Sequence, residues 1–158
     1  MLAVTRSRAD ALLDDTSRAI IAELQQDGRR AYATIGKSVG LSEAAVRSRV
    51  QRLTESGILQ VVGVTDPLQL GFARQAMLGI RVAGDVEPVA DRLSTLEDVD
   101  YVVVTAGSFD LLVEVVCRDD DHLLDVVNRQ IRAMTDVLSA EIFLYLKLAK
   151  QTYAWGVS

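Results

Sequence analysis

Cysteine and histidine are nearly absent from this chain of 158 residues: each occurs once, as Cys117 and His122. A single cysteine excludes an internal disulfide framework and fits a reducing compartment. A Cys-His dyad would need both residues, but one falls in a strand pattern and the other at an acidic helix start, with nothing to orient them. No ligand spacing suggests zinc, and no glycine-rich loop suggests a phosphate cradle. Asp119-Asp120-Asp121 lacks further oxygen ligands at loop spacing, so a helix N-terminus accounts for it better than a metal. No apolar run reaches membrane-spanning length, and residues 1–15 lack the apolar core of a signal peptide. The expectation is a cytoplasmic, non-enzymatic protein with no metal and no resident cofactor.

A strong positive charge is also missing. The net charge is −5, but it divides unevenly. Residues 1–65 carry 9 Lys and Arg against 7 Asp and Glu, a balance of +2; residues 66–158 carry 8 against 15, a balance of −7. Such asymmetry points to two domains with two tasks. The first half is basic enough to touch phosphate locally, although its long-range field is modest.

The most informative stretch runs from Leu41 to Ile58. Ser42 can cap a helix, and Gly57 can take the left-handed conformation just past its end. Val46, Val50 and Leu53 share one face at helical spacing and should pack inward. The opposite face carries Ala44, Arg47, Ser48, Gln51, Arg52 and Glu55. Arg and Gln can each pair with two atoms of a base edge, while Ala and Ser allow close approach. A solvated charged face on an ordinary core helix would show the same pattern, so the surroundings must decide.

Upstream, Asp14 or Asp15 opens a first helix with Ile20, Ile21 and Leu24 as its apolar stripe, stopped by Asp27-Gly28. A second helix spans about Ala31 to Val39, with no good N-cap and with Gly36 inside it. Arg29 and Arg30 lie in the turn before it, placed to reach phosphate or to be solvated. Two helices joined through Gly40-Leu41-Ser42 carry the helix-turn-helix signature. Leu59 to Val64 is short and β-branched, which predicts a strand or wing packed on the helices. The expected organisation is an arm over 1–13, in which Arg6 and Arg8 are solvated, a winged helix-turn-helix domain over 14–64 and a linker over 65–74. A second domain follows over 75–150, then a tail over 151–158.

The second half alternates in a different rhythm. Ala76, Leu78, Ile80 and Val82 mark a strand; Val86, Val89, Ala90, Leu93 and Leu96 mark a helix. Val99 to Thr105 and Asp110 to Cys117 are strands joined by Ala106-Gly107-Ser108-Phe109. A helix follows Asp119, lined by Leu123 or Leu124, Val127, Ile131 and Met134. Ile142, Leu144, Leu146 and Leu148 alternate in a last strand. The order βαββαβ gives a four-stranded antiparallel sheet with two helices on one face, the ferredoxin-like plan, and hence an α+β chain overall. The uncovered face would carry Tyr101 and Val103, or Leu112 and Val116, depending on register. That much apolar surface predicts a second copy as partner.

These pieces together resemble a known family. Leu13-Asp14-Asp15-Thr16-Ser17-Arg18-Ala19-Ile20, Gln26-Asp27-Gly28-Arg29, Val39-Gly40-Leu41-Ser42, Val50-Gln51-Arg52-Leu53 with Gly57-Ile58, Asp66-Pro67 with Leu70-Gly71, and Ala106-Gly107-Ser108-Phe109-Asp110-Leu111-Leu112 are similar to the leucine-responsive regulatory protein/AsnC class of transcription regulators. The resemblance spans about Leu13 to Lys150. It implies a winged helix-turn-helix on double-stranded DNA, a homodimer paired through its sheets and assembled into octamers, nucleoid association, and a free amino acid as small-molecule effector. The DNA-binding candidates are Arg29, Arg30, Ser42, Glu43, Ala44, Arg47, Ser48, Gln51 and Arg52. The effector candidates are Thr105, Gly107, Ser108, Phe109, Asp110, Ala140 and Ile142.

Gly107 is expected in a tight turn at positive φ, leaving backbone N–H groups free for a carboxylate, with Asp110 facing an α-amino group. Gly and Asp also build hairpins with no ligand at all. There are two departures from the family pattern: Ala31 stands where a capping hydroxyl is common, and Ala140 and Ile142 stand where Ser or Thr is common near the effector. The second departure implies an apolar or aromatic effector side chain. The reading is a sequence-specific, effector-responsive DNA-binding regulator. Its rivals are a DNA-wrapping protein with little sequence preference, an effector-independent regulator, and an enzyme carrying a regulatory ferredoxin-like domain.

Overall fold

A computed structural model describes residues 13–152; residues 1–12 of the arm and most of the tail lie outside them. The chain divides into two compact units: one comprises the residues up to Val64 with those from Lys150 on, and the other runs from Thr65 to Ala149.

The first unit is three helices: α1 (Asp15–Gln26), α2 (Tyr32–Val39) and α3 (Glu43–Glu55). Their ends follow from their caps. The Asp14 carboxylate accepts the Ser17 N–H at 2.7 Å and starts α1. The Ser42 hydroxyl accepts the Ala45 N–H at 3.2 Å and starts α3. Each satisfies one of the orphan donors of a helix N-terminus. Ala31 caps α2 with no side-chain bond. Gly40 ends α2 at φ 71°, and Gly57 sits just beyond α3 at φ 74°. Ile20, Ile35, Val46 and Leu53 form a buried centre joined by Ile21, Leu24, Val50 and Leu59.

The expected wing is absent. Residues 59–64 form no strand; Leu59 anchors the segment in the core while Val61, Val62 and Val64 are exposed. β-Branched residues favour extended backbone, but a strand also needs a partner for its ladder. Among the described residues of this unit there is none.

The second unit begins earlier than the proposed linker allowed. Asp66 caps a 3₁₀ turn over Pro67–Leu70 by accepting the Leu68 N–H at 3.0 Å. β1 (Arg74–Val82), α4 (Glu87–Leu93), β2 (Val99–Val104), β3 (Leu111–Cys117), α5 (Asp120–Asp125) and β4 (Val137–Leu144) follow. A π-helical turn over Val126–Ile131 continues α5. The sheet order β2-β3-β1-β4 is antiparallel throughout.

Register assigns the two faces. Leu78 lies opposite both Val113 and Ile142, and Ile80 opposite Leu111 and Ala140; this face packs under the helices with Val89, Leu93, Leu123, Val126, Val127 and Ile131. Leu123 is the buried member of its pair, and Leu124 is exposed. The other face carries Met77 opposite Phe143 and Glu114, and Leu112 opposite Val103 and Gly79. Tyr101 and Val103 therefore share this face with Leu112 and Val116, rather than replacing them. The last strand starts and stops earlier than its alternation suggested. It ends at Leu144, leaving Leu146 and Leu148 exposed.

Candidate DNA-binding and effector sites

In α3, the inward residues Val46, Val50 and Leu53 are buried, and Ala44, Arg47, Ser48, Gln51 and Arg52 are exposed. The outer face is pre-arranged rather than loose. Arg47 donates to the Glu43 carboxylate at 2.8 Å, and its guanidinium carbon stands 5.3 Å from the centroid of the Tyr32 ring. Gln51 donates to Glu55 at 2.8 Å.

Arg30, expected to reach phosphate or water, is ion-paired with Glu23 and half-buried, so it ties the turn before α2 to α1. Arg29 is exposed, and its backbone N–H is held by Asp27 at 2.9 Å. Sequence reasoning missed Arg49. Its guanidinium donates to both oxygens of Asp14, at 2.8 and 2.7 Å, and to the Ser17 hydroxyl at 3.0 Å, bracing α3 against the start of α1. Hydrogen bonds from Ser17 and Arg49 hold the Asp14 carboxyl down to about 2. An alternating-face inspection would place Arg49 beside the apolar stripe, the usual position of a bracing ion pair.

The β2–β3 loop is closed by its own bonds. The Thr105 hydroxyl donates to the Phe109 carbonyl at 2.6 Å, and the Thr105 N–H donates to the Asp110 carbonyl at 2.9 Å. One Asp110 carboxylate oxygen accepts the Val82 N–H at 2.8 Å, where the β1–β4 register shifts. That oxygen supports the irregularity in β1 instead of standing free for an α-amino group. Gly107 is not among the glycines with positive φ, which are Gly40, Gly57, Gly71 and Gly84. The expected positive φ at Gly107 is thus not found, and the loop closes instead through Thr105 and Asp110. Phe109 lies on the open sheet face over Gly79 and meets Phe143 edge-on, with centroids 5.9 Å apart at 78°. Ser108 offers its carbonyl to the Arg81 guanidinium at 3.0 Å.

Ala140 and Ile142 are not brought to that face. Ala140 is buried and Ile142 packs beside it in the core beneath the helices. Their apolar character follows from that burial. Their carry-over into an effector pocket has no geometric support from the loop side. Arg81, exposed and bonded to the loop through Ser108, takes the outward place that the alternation of β1 gives it.

His122, at the acidic helix start, has 17% of its side chain exposed. Its Nδ1 accepts the Arg118 N–H at 3.2 Å, and its Nε2 stands 3.2 Å from Asp98. Cys117 is buried and free, and desolvation pushes its thiol up to about 11. Among the described residues no group of three or more His, Cys, Asp or Glu could hold a metal ion, and no helix is long and apolar enough to cross a membrane.

A helix-turn-helix with an exposed, polar third helix, followed by a βαββαβ unit, defines the class of two-domain DNA-binding regulators. The comparisons name the family. Residues 13–54 match the AsnC-type helix-turn-helix domain, and residues 72–158 match the AsnC-type C-terminal dimeric alpha+beta barrel domain. The chain is 31% identical over 145 residues to the HTH-type transcriptional regulator FL11 of Pyrococcus abyssi, covering 89% of this chain and 93% of that one. It is 28% identical over 139 residues to the regulatory protein AsnC of Escherichia coli (strain K12), covering 86% and 91%. The solved structure of Escherichia coli AsnC superposes with a TM-score of 0.80 at 26% identity, over 90% of this chain and 97% of that one. A Neisseria meningitidis transcriptional regulator, solved in complex with L-Met, shares the fold at 24% identity and a TM-score of 0.79, over 89% and 94%. The chain belongs to the Lrp/AsnC family of transcriptional regulators.

Proposed function

We propose that this regulator is sequence-specific and reads the major groove with Ala44, Arg47, Ser48 and Gln51, while Arg29, Ser42 and Arg52 contact phosphate. The observation that carries this reading is the outer face of α3. It is exposed, capped at its N-terminus by Ser42, and combines two bidentate-capable side chains with two small ones one turn apart. Arg30 serves the fold through Glu23 rather than the DNA. The test selects duplexes from a random library and measures affinity at fixed salt. Arg47→Ala or Gln51→Ala should cost about 1–3 kcal/mol on the selected site and much less on random DNA. Equal losses on both would assign these residues to phosphate and favour the DNA-wrapping alternative.

The regulator further responds to a free amino acid at the 105–110 loop, where the exposed Arg81 suits a carboxylate and Phe109 an apolar side chain. Dimers paired through the open sheet face join into octamers in the cytoplasm, on the nucleoid. Calorimetry against all twenty amino acids, with Arg81→Ala as the control, tests the effector. Binding of none, or equal binding by the variant, refutes the assignment. Asp110→Ala is a poor control, because it also removes the acceptor for Val82.

A further inference from the structure

The side chain placed to read a base on α3 is already engaged from two directions. Glu43, one turn earlier, accepts from Arg47 at 2.8 Å, and the Tyr32 ring of α2 lies 5.3 Å from the Arg47 guanidinium carbon. Both partners of the ion pair are exposed, at 64% and 52%. The bond is therefore exchangeable rather than structural. Arg47 and Glu43 together present no net charge to an approaching phosphate, in a unit whose overall balance is only slightly basic. Arg has five donors in a rigid plane, and one bond to Glu43 leaves an edge of the fork open. A planar pair of acceptors, such as the O6 and N7 of guanine, can use that edge in line. A phosphate can offer two oxygens to the same edge, but its negative charge is repelled by the adjacent Glu43 carboxylate, whereas a base edge is neutral.

We propose that Glu43, acting with Tyr32, is a specificity-determining residue that disfavours contact of Arg47 with phosphate relative to a base edge. This rests on the reading of α3 as the recognition helix. Glu43 contributes by weakening non-specific DNA binding, and Tyr32 by holding the guanidinium in its plane over the turn.

The test uses the full chain and two duplexes of equal length: one selected by the wild-type protein from a random library, and one of mixed random sequence. Affinity is measured against salt for the wild type, Glu43→Gln, Glu55→Gln and Tyr32→Ala. Glu55→Gln removes the same charge from the same helix, but Glu55 holds Gln51, which has no charge to release. The expected result for Glu43→Gln is tighter binding to random DNA by up to about fivefold, and a smaller selected-to-random ratio. The slope of log K against log salt on random DNA should steepen by about 0.9, the release expected for one added phosphate contact. Glu55→Gln should shift affinity without steepening the slope. Tyr32→Ala should lower the selected-to-random ratio, and Tyr32→Phe, which keeps the ring, should restore it. A Glu43→Gln ratio equal to wild type, or identical effects of Glu43→Gln and Glu55→Gln, would overturn the proposal while leaving the recognition helix intact. A wild type that binds both duplexes equally would overturn both.

Discussion

Gly36 provides a quantitative test in which helix propensity and packing predict opposite signs. It sits inside α2, where glycine is destabilising by about 1 kcal/mol relative to alanine. Propensity alone therefore predicts that Gly36→Ala stabilises the chain. The packing says otherwise. A Cβ built on Gly36 would lie 2.5 Å from the Leu41 carbonyl oxygen, 3.4 Å from the Leu41 carbonyl carbon and 3.5 Å from the carbonyl carbon of Ser42. Ordinary contact begins at 3.4 Å, so the backbone at Leu41 must retreat by about 0.9 Å. That segment is not free to move. The Leu41 N–H donates to the Gly36 carbonyl at 2.8 Å, and Ser42, the next residue, caps α3. Overpacking costs typically about 1–3 kcal/mol, and the upper part of that range applies when the obstacle is backbone. Subtracting the propensity gain leaves a net loss of about 1–2 kcal/mol. For a unit of this size that corresponds to a melting temperature about 5–15 °C lower. Native-state hydrogen exchange on the full chain resolves the effect locally: amides of α2 and the first turn of α3 should lose protection, while those of the sheet should not. A variant that melts at or above the wild-type temperature, with α3 protection unchanged, would refute the close-approach argument.

Four further outcomes follow from the geometry. Asp14→Ala should cost about 1–2 kcal/mol, because it removes a helix cap and the partner of Arg49 together. The Asp14 folded pKa near 2 lies below its ordinary 3.8, so its contribution is present above the ordinary value and is lost as pH falls from about 4 toward 2; urea titrations over that range should show Asp14→Asn lacking this limb. Cys117 should resist a thiol reagent at pH 8 in the native chain and react once urea unfolds it, since burial keeps the thiol protonated up to about 11; rapid native labelling would refute its place in the core. A Cβ on Gly79 would meet the Phe109 ring at 2.7 Å, so Gly79→Ala should destabilise by about 1–3 kcal/mol alone and by much less in a Phe109→Ala background; an additive double-mutant cycle would show that the two do not touch.

How far the fold was legible depended on whether a signal was local. The three helices of the first unit carried their own end markers, Asp14, Ser42, Gly40 and Gly57, and each of these acts within a turn of its position. The βαββαβ order was legible because strand and helix periods differ and alternate along the chain. Residues 59–64 misled because β-branched composition reports a backbone preference, whereas a strand exists only where a partner ladder is available. Leu146 and Leu148 misled similarly: their alternation continues past Leu144, but the described sheet does not. At the candidate sites, the outer face of α3 was legible from spacing. The partners of its side chains were partly legible, since Glu43 and Glu55 stand four residues from Arg47 and Gln51, the distance at which helical neighbours meet.

Sequence by itself determined which segments became the three helices of the first unit and the strands β1–β4, the inward and outward faces of α3, and the division into a slightly basic and an acidic half. All of these depend on residue order over a few turns. Tertiary structure decided everything set by a long-range approach. It bound Arg49 to Asp14 across 35 positions. It turned the Asp110 carboxylate to the Val82 N–H across 28 positions, and it buried Ala140 under the helices while Phe109 took the opposite face. No periodicity encodes these contacts, because each depends on the register and crossing of elements distant in the chain, and a one-residue change of register would send every strand side chain to the other face.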